Sequence, residues 1–286
     1  MEEIVLLLFE HYDEKQILFV TKRQCMMSQK EKVQKKKEKG GVFELISVLI
    51  QALFLAILIR TLFFQPFTIP SGSMRPTLLV GDYLFVSKYA YGYSRFSIPF
   101  SPPIFSGRIW ASQPERGDVV VFRLPSNPDV DYIKRVVGLP GDYVQVRQGV
   151  LYINDKAVSR QLMGQIDDPD VTELNRPVDV YRETMSNGVS YNTLDLGFFP
   201  QVDNTKVFEV PPGHYFMMGD NRHNSDDSRL GVGYVPEENL VGRANLIFFS
   251  ISNGSSAWQI WRWPFDVRWA RLFSFINTIH YFPLTK

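Results

Sequence analysis

One cysteine, Cys25, and four histidines are all that this 286-residue chain holds of the side chains that most often form disulfides or bind zinc. A lone thiol excludes an intramolecular disulfide and any cysteine-based zinc site. Charge of one sign is also missing. Lys and Arg number 31 against 30 Asp and Glu, a net charge of +1, so the basic excess of a phosphate-binding surface is absent and nucleic acid is not an expected partner. The histidines are His11, His214, His223 and His280. None accompanies a G-x-S-x-G elbow, and a Ser-His-Asp triad through His214 or His223 has no motif behind it. A hydrophobic content of 45% excludes general disorder, so stability has to come from packing.

What the chain does have is a long apolar run. Residues 42 to 60 read VFELISVLIQALFLAILIR, about 28 Å as a helix, close to the hydrocarbon thickness of a bilayer. Arg60 can snorkel at one end, and Gln51 alone sits mid-span. Before it stand Lys30, Lys32, Lys35, Lys36, Lys37 and Lys39 with only Glu31 and Glu38 among them, which predicts a cytoplasmic N-terminus. The apolar run is too long for a cleaved leader and no small-residue cleavage site follows it, so an uncleaved single-pass anchor is expected. Residues 1 to 26 differ in character, with an apolar run at 4 to 9 too short to span. That leaves Met26 or Met27 as alternative starts.

Beyond Phe67 the texture becomes β, with short Val-, Ile-, Phe- and Tyr-rich runs between turn residues. A Gly-Asp pair recurs at Gly81-Asp82, Gly117-Asp118 and Gly141-Asp142, each ahead of a strand-like run. A fourth, Gly219-Asp220, follows the apolar residues 214 to 218 but leads into the polar NRHNSDDSR, the natural place for a function-bearing loop. The expected fold is mainly β: a cytoplasmic lysine-rich segment (1–41), a transmembrane anchor (42–62), and a largely antiparallel β catalytic domain (63–141 and 213–286). A smaller β lobe (142–212) is inserted in it, opening with the hairpin-like VQVRQGVLYIN. Aromatics in the loop 89–110, and Trp258, Trp261, Trp263 and Trp269 among Arg262, Arg268 and Arg271, suit either a lipid interface or ordinary packing.

Two stretches carry candidate chemistry. In PSGSMRPTL, Pro70 and Pro76 stiffen a turn, Gly72 loosens one backbone angle, and Ser71 and Ser73 present hydroxyls. A serine needs a base, which can be histidine or lysine. In DYIKRVV, strand alternation puts Lys134 on the face of Tyr132 and Val136 and Arg135 on the face of Ile133 and Val137, so one cation has to point inward. A buried lysine loses much of its affinity for the proton and can act as a base; an edge lysine in water cannot. In GDNRHNSDDSR a calcium loop fails, because Arg222 stands third from Asp220 and no glycine stands sixth.

PSGSMRPTL, GDVVVFR, YIKRVVGLPGD and GDNRHNSDDSR, in that order after a membrane anchor, closely resemble the bacterial type I signal peptidases, and WPFDVRWARL near the end is similar too. The resemblance implies a Ser-Lys dyad protease of the cytoplasmic (inner) membrane with its catalytic domain on the outer face. It would cleave preproteins at their signal peptides, with membrane lipid as a further partner and no metal or other cofactor. On this chain it implies Ser73 as nucleophile and Lys134 as general base. Ser71 would donate to the oxyanion, and Ser225 would hydrogen-bond Lys134 and orient it. Asp227 would pair with Arg229, with Asp220 and Arg135 in a similar supporting role. Phe67, Ile69, Pro70, Met74, Leu78, Tyr132 and Ile133 would contact the substrate. His223 departs from the family's usual acidic residue, which puts a direct role for that position in doubt. Two other readings stay open: a non-catalytic membrane-anchored binding module, and a Ser-Lys self-cleaving regulator, a class that needs a DNA-binding region.

Overall fold

A computed structural model describes residues 14–167, 177–252 and 258–276. The apolar run at 4 to 9, His11 and His280 lie outside them. Two compact units emerge, Met1–Leu58 and Ile59–Lys286. The first is built on a continuous helix, α1 (Glu14–Leu62). Its part Gly41–Leu62, 22 residues, reaches a mean hydropathy of 2.6 over its most apolar 18-residue stretch and is long and apolar enough to cross a membrane. Side chains such as Leu49, Leu53 and Phe54 are exposed, the arrangement a lipid environment satisfies.

The second unit is β. Its main sheet holds β1 (Phe64–Thr68), β2 (Asp82–Ser87), β3 (Val119–Leu124) and β4 (Asn127–Gly138). Residues 142 to 209 supply β5 (Tyr143–Arg147), β6 (Val150–Ile153), β7 (Lys156–Ala157), β8 (Ser159–Ile166), β9 (Val178–Thr184), β10 (Ser190–Asp195) and β11 (Phe208–Glu209). The chain then returns as β12 (His214–Met218), β13 (Val235–Pro236), β14 (Leu240–Ser250) and β15 (Ser274–Phe275). The main sheet runs β1-β2-β14-β3-β4-β12-β13 with β15 beside β14; β11-β5-β6-β7 and β10-β9-β8 form two smaller sheets. Pairing within all three is antiparallel.

Alternation along β3 shows how the main sheet is held. Val119 and Val121 enter one apolar cluster with Leu84, Val86 and Ile247, whereas Val120 and Phe122 enter another with Val136, Tyr215 and Met217. Both faces are therefore covered, which is why β3 reads as a continuous apolar run.

The repeated Gly-Asp phrase is one device used three times. Gly81, Gly117 and Gly141 have φ of 89°, 93° and 86°, left-handed angles that glycine adopts without steric cost. Each following aspartate accepts a backbone N–H from three residues back: Leu79 onto Asp82 at 2.8 Å, Glu115 onto Asp118 at 3.1 Å, Leu139 onto Asp142 at 2.6 Å. Gly219-Asp220 is different, because Asp220 turns its carboxylate to Arg135 and Thr77.

The aromatic stretches divide. Phe100, Trp110, Trp258, Trp261, Phe265 and Trp269 are exposed, while Val267 and Arg271 are buried. Arg271 grips both carboxylate oxygens of Asp82 at 3.1 and 2.5 Å. One side of the C-terminal segment is thus packing and the other is open.

Candidate active site

Ser73 lies in the turn between β1 and β2, and Lys134 in the buried half of β4. The Lys134 Nζ stands 2.5 Å from the Ser73 Oγ, in hydrogen-bond contact across 61 residues of sequence. Both are buried, at 9% and 3% exposure. Burial is the main influence on the amine and lowers its pKa from 10.5 to about 8, against the raising pull of Asp227, Asp226 and Asp220. About one molecule in ten then carries a neutral amine at pH 7, against on the order of one in a thousand for a free lysine.

The expectation that one of the two neighbouring cations points inward is corrected: Arg135, like Lys134, is 3% exposed. β4 is covered on both faces. Arg135 is compensated by the carboxylate of Asp220, donating through Nε at 2.8 Å and Nη2 at 2.6 Å, and its guanidinium lies 4.1 Å from the Tyr191 ring centre. Asp227 and Arg229 pair at 2.8 Å, as expected.

The loop 219–229 holds the serine turn from behind. Asn221 donates its backbone N–H to the Ser73 carbonyl at 3.1 Å and its side-chain amide to the Gly72 carbonyl at 3.2 Å. Gly219 is needed by close approach, since a Cβ there would fall 2.2 Å from Ser225 Oγ and 2.5 Å from the Ser73 carbonyl oxygen. Ser71 Oγ lies 3.5 Å from Ser73 Oγ. A cleft of roughly 400 Å³ opens over the pair, lined among others by Pro70, Ser71, Tyr132 and Ile133.

Several expected placements do not hold. Ile69, Met74 and Leu78 are buried in the apolar cluster with Leu84 and Ile247, and Phe67 packs on its margin, so none of the four lines the cleft. The turn spends its apolar side chains on the core and leaves Pro70 and the serines to the cleft. Ser225 makes no hydrogen bond to Lys134; its hydroxyl is buried without a partner among the described residues. His223 points away into the 142–209 region. Its Nδ1 accepts the Leu196 N–H at 3.1 Å, which leaves Nε2 to donate to Asp203 at 2.8 Å.

Sequence reasoning missed others. Asn224 and Asp226 line the cleft, and both sit inside the loop already singled out for its polarity. Arg222 is held by Glu183 at 2.5 and 2.7 Å, and Tyr191 donates to the same carboxylate at 2.9 Å. Nothing local in the sequence marks Glu183 as its partner.

A β fold that keeps an alcohol against a lysine amine in a half-dry cleft is the arrangement of a serine hydrolase whose base is lysine. The family described as "Signal peptidase, peptidase S26" matches residues 42–249. A signal peptidase I of Rickettsia canadensis is 46% identical over 204 residues, 68% of this chain and 76% of its own. That of Rickettsia prowazekii is likewise 46% identical over 204 residues, 68% and 76% of the two chains. A solved signal peptidase I from Enterococcus faecalis matches 46% of this chain and 97% of its own at 28% identity, with a TM-score of 0.29. The chain belongs to the signal peptidase family, peptidase S26.

Proposed function

We propose that this chain is a membrane-anchored serine endopeptidase that removes signal peptides from exported preproteins through a Ser73–Lys134 dyad. The observation that carries the reading is the 2.5 Å contact between the Ser73 hydroxyl and the buried Lys134 amine. Neutral Lys134 takes the Ser73 proton as the oxygen attacks the scissile carbonyl. The Ser73 N–H and the Ser71 hydroxyl meet the developing oxyanion, where one donor is typically worth about 3 to 4 kcal/mol. The Lys134 ammonium passes its proton to the departing amine and an ester on Ser73 remains. Lys134, neutral again, takes a proton from the water that attacks this ester and gives it to the departing Ser73 Oγ, so the acid product leaves and the dyad is restored. The Asp220–Arg135 and Asp227–Arg229 pairs hold the loop behind the serine turn through this cycle.

The substrate enters as an extended segment. β3 occupies one edge of β4 at Tyr132 and Ile133, whereas β12 pairs with β4 only at Arg135, Val136 and Gly138. A peptide strand beside Tyr132 and Ile133 would bring its carbonyl to Ser73. The lysine cluster before the anchor supports a cytoplasmic N-terminus and a site on the outer face of the cytoplasmic membrane. The exposed Trp110, Trp261, Phe265 and Trp269 support lipid as a second partner. The 142–212 segment is proposed to be a lobe inserted into the catalytic domain.

The test is cleavage of a preprotein by the detergent-solubilised protein alongside Ser73→Ala and Lys134→Ala. Cleavage is expected from the wild type alone; activity retained by both variants would reject the dyad.

A further inference from the structure

Three segments of the second unit meet at one hydroxyl. Thr77 lies four positions after Ser73 in the same turn and is buried. Its Oγ1 donates to Asp220 Oδ2 at 2.5 Å and accepts Arg135 Nη2 at 3.3 Å. Arg135 is the neighbour of Lys134 on β4. Asp220 is the neighbour of Asn221, whose N–H holds the Ser73 carbonyl at 3.1 Å. The Thr77 backbone is tied as well, since its carbonyl accepts Arg271 Nη2 at 3.0 Å, and Arg271 is itself clamped on Asp82. The Arg135–Asp220 pair thus meets the side chain of this residue and the Arg271–Asp82 pair its main chain.

We propose that Thr77 is a positioning residue that keeps Ser73 Oγ within hydrogen-bond reach of Lys134 Nζ. Serine turn and lysine strand are distant in sequence, so tertiary contacts set their separation. The Arg135–Asp220 pair joins β4 to the 219–229 loop, and Asn221 joins that loop to the main chain of the turn at Gly72 and Ser73. The Thr77 hydroxyl closes the triangle, donating to the acid and accepting from the base of that pair. A shift of about 1 Å between reacting groups can cost a hundredfold in rate, so the effect belongs in turnover and not in substrate binding. Thr77 does not line the cleft.

This inference rests on the dyad reading, and the experiment separates the two. The full-length protein in detergent is assayed on a preprotein as wild type, Ser73→Ala, Thr77→Val, Thr77→Ser and Thr77→Cys, with thermal melting of each. Thr77→Val keeps the shape and removes the hydroxyl; its kcat is expected to fall about tenfold or more with KM within about twofold. Thr77→Ser restores the hydroxyl and is expected within about threefold of the wild-type kcat. A Thr77→Val kcat at the wild-type level, a loss carried by KM, or an equal loss in Thr77→Ser overturns the proposal. If Thr77→Val does not fold, Thr77→Cys against Thr77→Ser decides: at least about fivefold lower kcat for the weaker thiol donor supports the role, and equal values reject it. Inactive Ser73→Ala beside a fully active Thr77→Val overturns the inference alone, whereas an active Ser73→Ala removes the dyad and the inference with it.

Discussion

Lys134 and Arg135 are adjacent on β4 and equally buried, yet they meet opposite partners. Arg135 faces the carboxylate of Asp220 at 2.6 Å, and Lys134 faces the neutral hydroxyl of Ser73 at 2.5 Å. A guanidinium stays charged at any accessible pH and so requires the acid; an ammonium denied one gives up its proton more easily. The strand seats one cation and disarms the other.

The first prediction follows from that asymmetry. With a Lys134 pKa of about 8, kcat/KM rises about tenfold per pH unit below 7 and levels off above about 8, because the base acts only when neutral. The fold disfavours the ammonium, so between about pH 8 and 10.5 the unfolded chain binds the extra proton and this group's contribution to stability rises with pH. Lys134→Met is therefore expected to gain up to about 3 kcal/mol over wild type at pH 7 and to lose that advantage towards pH 10.5. Rate profiles and urea titrations at the two pH values check both halves.

A second prediction concerns Gly219. The methyl group of Gly219→Ala would fall 2.5 Å from the Ser73 carbonyl oxygen, a backbone atom, and 2.2 Å from Ser225 Oγ. The turn has to move, and displacement at the nucleophile is expected to lower kcat by about a hundredfold or more. Single-turnover cleavage measures it, and near-normal turnover would mean that the turn yields without disturbing the serine.

The third is a matter of stability. Glu183 and Arg222 form an ion pair with side-chain exposures of 1% and 7%. Glu183→Gln leaves the guanidinium without its charge partner and is expected to cost about 3 to 5 kcal/mol in denaturant unfolding. Glu183→Leu with Arg222→Met removes both charges and is expected to recover most of that loss. A double variant no better than the single would show that Arg222 is held chiefly by its bonds to the Gly219 carbonyl and Tyr191.

Much of the architecture was legible because its causes are local. A continuous apolar run after a Gly-Asp turn marked β3, the turn Gln148-Gly149 marked the β5–β6 hairpin, and three of the four Gly-Asp pairs join a left-handed glycine to a carboxylate that reaches only three residues back. The helix over Gly41–Leu62 is legible for the same reason, since an apolar run satisfies its backbone by itself as a helix. The side chains of the serine turn were harder to read. Met74 and Leu78 look like cleft residues beside a nucleophile, but the turn lies over β2 and β14, and those strands claim its apolar side.

The sequence by itself determined a membrane-length helix, a β domain punctuated by turns, and the residue types of the site, because these depend on hydrophobic period, glycine and proline geometry, and short-range hydrogen bonds. Only the tertiary structure decided that Lys134 is dry, that Arg135 is buried beside it and paired with Asp220, that Glu183 secures Arg222 from 39 residues away, and that the Ser225 hydroxyl has no hydrogen-bond partner among the described residues. Burial and long-range pairing are properties of surfaces that come together only when strands distant in sequence share a sheet, and the proton affinity of an amine is set by that enclosure and not by its neighbours in the chain.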